Sequence, residues 1–336
     1  MRLKIFVALL FFLFITGIAL TEGPFASPVA TAGLSRGSPR PPFPSAFFNS
    51  YLQARAARDA AQPYSVPTEA ELRAQMAFYP PESLLMNNYI LAFYGHPLSR
   101  YMGVLGRYPK EELLRQMTVL AEEYRAIGGR NIIKAFYLIY GTVWPGGEIG
   151  ILRESILREW IEFALANDML IFIDHQIGRF DPIDSLRRMF RWLHYPNVHL
   201  ALDPEWRTAR PMQEIGHLTA AELNRAQQLM EDYIIENNLP GERFLVVHQF
   251  NHIMLRNRYD IRSDFSRVRF VHCISGIGTP AMKKATYAFG ARATNIPVKG
   301  FKLWFDFGIP GHTDIPLMTP AEVMALQPRP YIIMYQ

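Results

Sequence analysis

Residues 170–176 read LIFIDHQ and residues 198–206 read VHLALDPEW. Each is a short apolar run that ends on a carboxylate, Asp174 in the first, Asp203 and then Glu205 in the second. Neither alternates strictly between apolar and polar residues, which is the pattern of a strand buried on both faces in a parallel sheet. Six more such runs flank them, over 89–94, 132–139, 244–248, 268–273, 301–306 and 331–335. Their starts fall 24 to 46 residues apart, and most of the gaps carry helical signals. Residues 109–127 place Leu113, Leu114, Met117, Leu120 and Ala121 on one face, with Gly128-Gly129 as a stop. Residues 154–166 repeat the pattern through Leu157, Ile161 and Leu165. Asp181-Pro182, Thr279-Pro280 and Thr319-Pro320 are helix starts with proline at the first helical position, and Thr219 with Glu222 forms a capping box ahead of 223–238. Only the fifth connection, 251–267, makes a poor helix.

Eight strand-and-connection units over the 248 residues from 89 onward predict an α/β fold, a (β/α)8 TIM barrel. An open doubly wound sheet competes, but no glycine-rich nucleotide loop follows the first run and the spacing is too regular. The last run ends one residue before Gln336, so the eighth outer helix is expected to be missing. Helices expected within 47–78, one opened by the capping box of Thr68 and Glu71, are predicted to take its place.

The rest of the composition sets limits. Of 336 residues, 49% are hydrophobic and 19% charged, enough apolar surface for a large core. One cysteine, Cys273, excludes a disulfide scaffold and any multi-cysteine zinc site. A net charge of +5 spread thinly along the chain argues for no nucleic-acid partner. Arg2 and Lys4 precede an apolar run over 5–20, and small residues follow, ending in Ala30-Thr31-Ala32. That order is a secretory signal, with an uncleaved membrane anchor as the alternative. The expected organisation is therefore 1–32 signal or anchor, 33–66 a Pro/Ala-rich tether with a helix, and 67–336 the barrel. The working part is expected to be extracytoplasmic, secreted or held at the membrane by 5–20 alone.

In such a barrel the chemistry sits at the C-terminal strand ends. With the two quoted runs counted to Asp174 and Asp203, the only carboxylates in the eight runs, Asp174, Asp203 and Asp306, all fall there, and Glu205 follows two residues beyond the fourth. Asp203 and Glu205, two apart, are expected to point into the barrel with Ala201 and to raise one another's pKa. Their competing role is to brace the loop, pairing with Arg207. A carboxylic acid kept protonated near neutrality is a general acid, and glycosidic cleavage needs one beside a base or nucleophile. The expected catalytic set is Glu205 as proton donor with Asp203 and Asp174. The expected substrate-binding set is Tyr94, His96, Tyr140, Trp144, Gln176, Trp206, His248, Gln249, Trp304, Asp306 and Tyr335, flat rings and hydrogen-bonding groups suited to sugars. No cofactor is expected.

The Asp-x-Glu at 203–205, on the fourth run of an exported barrel, resembles the lysozyme-like and chitinase-like glycoside hydrolase barrels. The whole chain is similar in outline to secreted (β/α)8 glycoside-hydrolase-like proteins of bacterial envelopes. The resemblance covers the architecture and residues 202–206. It implies Glu205 as the acid, Asp203 as its helper, and carbohydrate or another cell-envelope polymer as partner. The longer run of aspartates that chitinase-like barrels carry is absent, since Leu200 and Ala201 stand there. A noncatalytic glycan- or protein-binding envelope protein is the alternative.

A metal-dependent hydrolase of the barrel type is third. His96, Asp174, His175, His248, His272 and Asp306 lie at the same strand ends, but no His-x-His opens the first run, and no metal site is assigned. Cys273 reads as a core thiol, Gly276-Ile277-Gly278 as a plain turn, and Lys283-Lys284 as a solvated helix face. If helices within 47–78 cover the eighth strand, deleting 47–78 is expected to lower solubility and the urea midpoint, and a deletion that changes neither refutes it.

Overall fold

A computed structural model describes residues 83–336. The expected signal or anchor, the tether and the helices within 47–78 lie outside the described residues. Eight strands form one sheet: β1 (Asn88–Gly95), β2 (Asn131–Val143), β3 (Leu170–Gln176), β4 (Val198–Asp203), β5 (Arg243–Gln249), β6 (Val268–Ile274), β7 (Lys299–Leu303) and β8 (Ile332–Tyr335). Each pairs in parallel with the next, and β1 pairs with both β2 and β8, so the sheet closes into a (β/α)8 barrel. The helices are α1 (Lys110–Gly128), α2 (Glu154–Ala166), α3 (Pro182–Arg187), α4 (Ala220–Glu236), α5 (Pro280–Ala291) and α6 (Pro320–Met324). Among the described residues no helix is long and apolar enough to cross a membrane.

The helix ends follow from their residues. Thr219 accepts from the Glu222 amide while Glu222 accepts from the Thr219 amide, and Thr319 with Glu322 repeats this reciprocal cap. Asp181 accepts from the amides of Ile183 and Asp184. Gly129, at φ +67°, takes the left-handed conformation that ends α1. The fifth connection forms short 3-10 turns, His252–Met254 and Arg258–Asp260, around a two-residue strand, Leu255–Arg256, that pairs with Leu218–Thr219.

Two features depart from the reading of the sequence. β2 runs past a bulge between Ile139 and Gly141 and turns back in an antiparallel hairpin to Ile149–Ile151. β7 stops at Leu303, so 304–306 lie beyond the strand. The outer face of β8 is covered among the described residues. Tyr335 is fully buried, its ring 5.0 Å from Phe305 and its hydroxyl 2.7 Å from that of Tyr124 on α1.

Register sets what faces the interior. Asp174, Ala201, Val246 and Val271 are matched in turn across β3 to β6, and Lys302, Met334, Ala92 and Ala135 across β7, β8, β1 and β2. With a side-chain period of two, these and their i±2 neighbours share the inner face. At the N-terminal end of the strands Glu242 closes the barrel, taking Arg269 at 3.2 Å and hydrogen bonds from the Ser83 hydroxyl and the Leu84 amide.

At the other end a buried ion pair ties two mouth loops together. Lys283 lies 3.0 Å from Asp314 and also donates to the carbonyls of Gly276 and Lys302. Asp314 in turn accepts from the amides of Gly278 and Trp304. Lys283 is thus no solvated residue: it is 2% exposed, turned inward by these three partners. Removing one member of a buried pair leaves the other uncompensated. Asp314→Ala is therefore expected to lower the unfolding free energy by about 3–5 kcal/mol in urea titrations, and Lys283→Met with Asp314→Leu together to recover much of it.

Candidate active site at the barrel mouth

Six strands send one side chain each to a common point near the C-terminal end of the barrel interior: Tyr94, Tyr137, Asp174, Asp203, His248 and Lys302. The contacts cross the barrel rather than follow the sheet. His248 Nε2 on β5 lies 2.8 Å from the Tyr137 hydroxyl on β2. The same nitrogen is 3.8 Å from Asp174 Oδ2 and 3.8 Å from Asp203 Oδ1. The Lys302 ammonium on β7 sits 3.6 Å from the centre of the Tyr94 ring on β1 and 4.7 Å from that of Trp304. Each residue is on the inner face of its strand, near the C-terminal end for all but Tyr137, which is midway along the longer β2, and closure of the barrel lets non-adjacent strands meet here.

The cluster is buried and its polar atoms are poorly paired. Asp174 is fully buried; Tyr94 and Asp203 lean on its carboxyl, yet neither of its oxygens is engaged in a well-formed hydrogen bond. His248 Nδ1 has no partner either. Burial, then the Asp203 charge, drives the Asp174 carboxyl well above the usual range, with Lys302 opposing. Burial lifts Asp203 to about 6, again against the pull of Lys302. His248 is held well below its ordinary value by burial and then by Lys302, so the imidazole is neutral. Burial lowers the Lys302 ammonium in spite of the carboxylates around it.

Glu205 reaches the cluster by a different route from the one expected. β4 ends at Asp203, and Pro204–Trp206 form a 3-10 turn, so Glu205 is not on the strand with Asp203. The turn is held by the Gly216 amide, which donates to the Glu205 carbonyl at 2.7 Å. Glu205 as a residue is partly exposed, while its Oε2 is buried without a partner. Burial, then Asp203, holds its carboxyl well above the usual range, and Asp174 adds to this. Arg207 does not neutralise it: the guanidinium pairs with Glu222 at 2.7 Å.

The other expected binding residues are scattered. Trp304 joins the cluster, its Nε1 donating to the Ser275 carbonyl. His96 is partly exposed on the loop after β1 and accepts from the Leu98 amide. Trp206 is partly exposed beside Glu205. Trp144, 47% exposed, stands at the tip of the β2 hairpin over Gly150, where a Cβ would come within 2.6 Å of the indole nitrogen. Five lie away from the cluster. Tyr140 packs on His175, and Gln176 accepts from the Val143 amide. Gln249 is engaged by His272 and Asn251. Tyr335 faces α1. Asp306, three residues beyond β7, is exposed and accepts from the Gly308 amide.

The histidines do not converge either. His272 is taken by Gln249 at 2.8 Å and faces Lys299, whereas His248 alone reaches the axis. The donors that do converge are Asp174, Asp203 and His248, with one atom of each within 4.8 Å of the others. Cys273 is buried, its thiol pushed up to about 12 by burial, as an inert core residue requires. Lys302 and Tyr137 are the cluster members outside the expected site. Their signal was a lysine and a tyrosine inside buried apolar runs, at positions whose facing depends on the register.

A groove of about 390 Å³ runs between the loops after β3 and β4, lined by Gly178, Arg179, Phe180, Asp181, Arg207, Thr208 and Ala209.

No family model matches the chain, and no curated protein matches it. Among solved structures it is similar to a chitinase from Chromobacterium violaceum at 11% identity and a TM-score of 0.36, over 64% of this chain and 69% of that one. It is also similar to a GH138 enzyme targeting pectin rhamnogalacturonan II, at 11% identity and a TM-score of 0.38, over 76% of this chain and 34% of that one. At these values the barrel rests on its own strand closure.

The electrostatics have a consequence for stability. Between pH of about 4, the ordinary aspartate value, and about 6, folded Asp203 keeps a proton that the unfolded chain has released. Stability therefore falls as pH rises through that window and stays lower above it. Asp203→Asn is expected to be more stable than the parent protein at pH 8 by about 3 kcal/mol, with the gain vanishing near pH 4, in urea unfolding at the two pH values.

Proposed function

We propose that this chain is a carbohydrate-active hydrolase that cleaves a glycosidic bond by carboxylate acid/base chemistry at the barrel mouth. The observation that carries the reading is the state of Glu205: partly exposed, with a buried, unpartnered Oε2 and a carboxyl held toward its protonated form beside Asp203. A carboxyl kept only for stability would be paired, and a buried acid without a partner lowers stability. Glu205 donates its proton to the leaving glycosidic oxygen. Asp203, the carboxyl that acts most strongly on Lys302, acts as nucleophile or base. Asp174, with both oxygens unengaged, receives substrate hydroxyls or steadies Asp203. Export, by a signal or anchor over 5–20, belongs to the same proposal and rests on the sequence.

A second reading rests on one further observation, the donor atoms of Asp174, Asp203 and His248 within 4.8 Å of one another. Two carboxylates and a neutral imidazole are a ligand set for a divalent cation. The ammonium of Lys302 in the same cluster opposes it.

The test is a glycan screen on the purified full chain beside Glu205→Gln, read as released reducing ends. Turnover is expected in the parent protein and to fall by about 10²–10⁴ in the variant, with circular dichroism unchanged. Turnover equal in both removes Glu205 from the mechanism, and binding without turnover in both favours a noncatalytic glycan binder. Activity abolished by a chelator and restored by one divalent metal favours the second reading.

A further inference from the structure

Each buried cation among the described residues, with one exception, has at least one protein acceptor, although Arg243, Arg258 and Arg329 each keep one buried N–H unpartnered. Lys283 has Asp314 and two carbonyls. Lys299 donates to the carbonyls of Ala293 and Gly290. Arg243 has three carbonyls, and Arg269 has Glu242. Arg258 and Arg329 each reach a carbonyl and a tyrosine hydroxyl. The exception is Lys302. It is 5% exposed, its ammonium rests on the faces of Tyr94 and Trp304, and among the described residues it has no hydrogen-bond acceptor and no carboxylate within 4.0 Å.

The Lys302 ammonium is not sealed off: it keeps contact with solvent, and its three donors are open to a ligand that replaces that water. The same cluster holds unfilled acceptors, both oxygens of Asp174 and Oε2 of Glu205. Donor and acceptors are present yet kept apart, which is how a site is built for a ligand that bridges them. The acceptors suit hydroxyl groups. The donor suits an anion, since a neutral hydroxyl would leave the charge uncompensated in a buried place. The loops that follow Asp174 and Asp203 on β3 and β4 form a groove lined by Arg179 and Arg207 together with Asp181. Arg207 is shared with Glu222, and the Arg179 guanidinium, among the described residues, rests on the Phe180 ring with no carboxylate within 4.0 Å.

We propose that the sugar taken at this mouth carries a carboxylate, held by Lys302, so that the substrate class is an acidic, uronic-acid-containing glycan. The inference rests on the glycan reading of the same site and narrows it. Asp174 then receives the hydroxyls of that sugar, and Arg179 an acidic group on a neighbouring unit.

The test is calorimetric binding to the full chain carrying Glu205→Gln, which separates binding from turnover. The probes are galacturonic and glucuronic acid oligosaccharides and the same oligosaccharides with their carboxyls reduced to alcohols. At least one acidic form is expected to bind roughly tenfold or more tighter than its reduced counterpart, with the gap narrowing as salt is raised. Lys302→Met is expected to abolish the gap and Lys302→Arg to keep part of it. Equal or tighter binding of the reduced forms, or no binding of any acidic form, overturns the proposal. So does a gap unchanged in a folded Lys302→Met protein. The reduced probes make the comparison on unaltered Lys302, so it holds even if the variant fails to fold. Turnover of neutral glycans without acidic binding overturns this inference and leaves the hydrolase reading standing. Acidic binding without turnover of any glycan does the reverse.

Discussion

Closure of the sheet is the constraint on which the remaining features depend. β1 is hydrogen-bonded to β2 over eight residue pairs and to β8 over four, so no strand edge is left among the eight. Closure gives the strands a common inside, and the period of two then assigns every second residue to it. The lower and middle interior is filled largely by apolar side chains such as Phe172, Phe244 and Val246, with His199 stacked between the two phenylalanines. The carboxylates, imidazole and ammonium are gathered at one end. That end is the one where the connections leave toward the helices, and these loops are free to vary without disturbing the sheet.

The gathered groups are a liability for stability. Asp174, Asp203, His248 and Lys302 are all nearly excluded from water, and burial acts on each against its charged form. The surrounding structure contains the cost. Tyr137 supplies a hydrogen bond to His248, two aromatic faces support Lys302, and the Lys283–Asp314 pair pins the loops that carry Trp304. A fold seeking stability alone would fill these positions with apolar residues. Charged groups held in such a place, at the end of a barrel where ligands are met, argue for chemistry there.

Much of the fold was legible because local rules and global packing agree here. Residues 154–166 and 198–203 form the elements their patterns predict, with the same boundaries, and the Thr219 and Thr319 caps form as their spacing demands. The departures occur where a neighbour overrides the local pattern. β7 ends early because the Trp304 amide is taken by Asp314 rather than by the sheet. The β2 hairpin adds a strand that nothing in 140–151 announces. Lys283 looks like half of an exposed lysine pair until Asp314, 31 residues later, turns it inward.

The sequence by itself determined the eight strands, most of their connections, and the placing of Asp174, Asp203 and Glu205 at one end of the barrel, since these follow from periodicity, caps and order along the chain. Only the tertiary structure decided which groups meet. Gln249 and His272 stand as near to strand ends as His248 does, yet they face the helices and bond to one another. Lys302, a charged residue inside an apolar run, proves to be the cation of the cluster. The reason is that facing depends on register. A shift of one residue exchanges inside for outside, and register is set by pairing with strands distant in sequence, which no local pattern records.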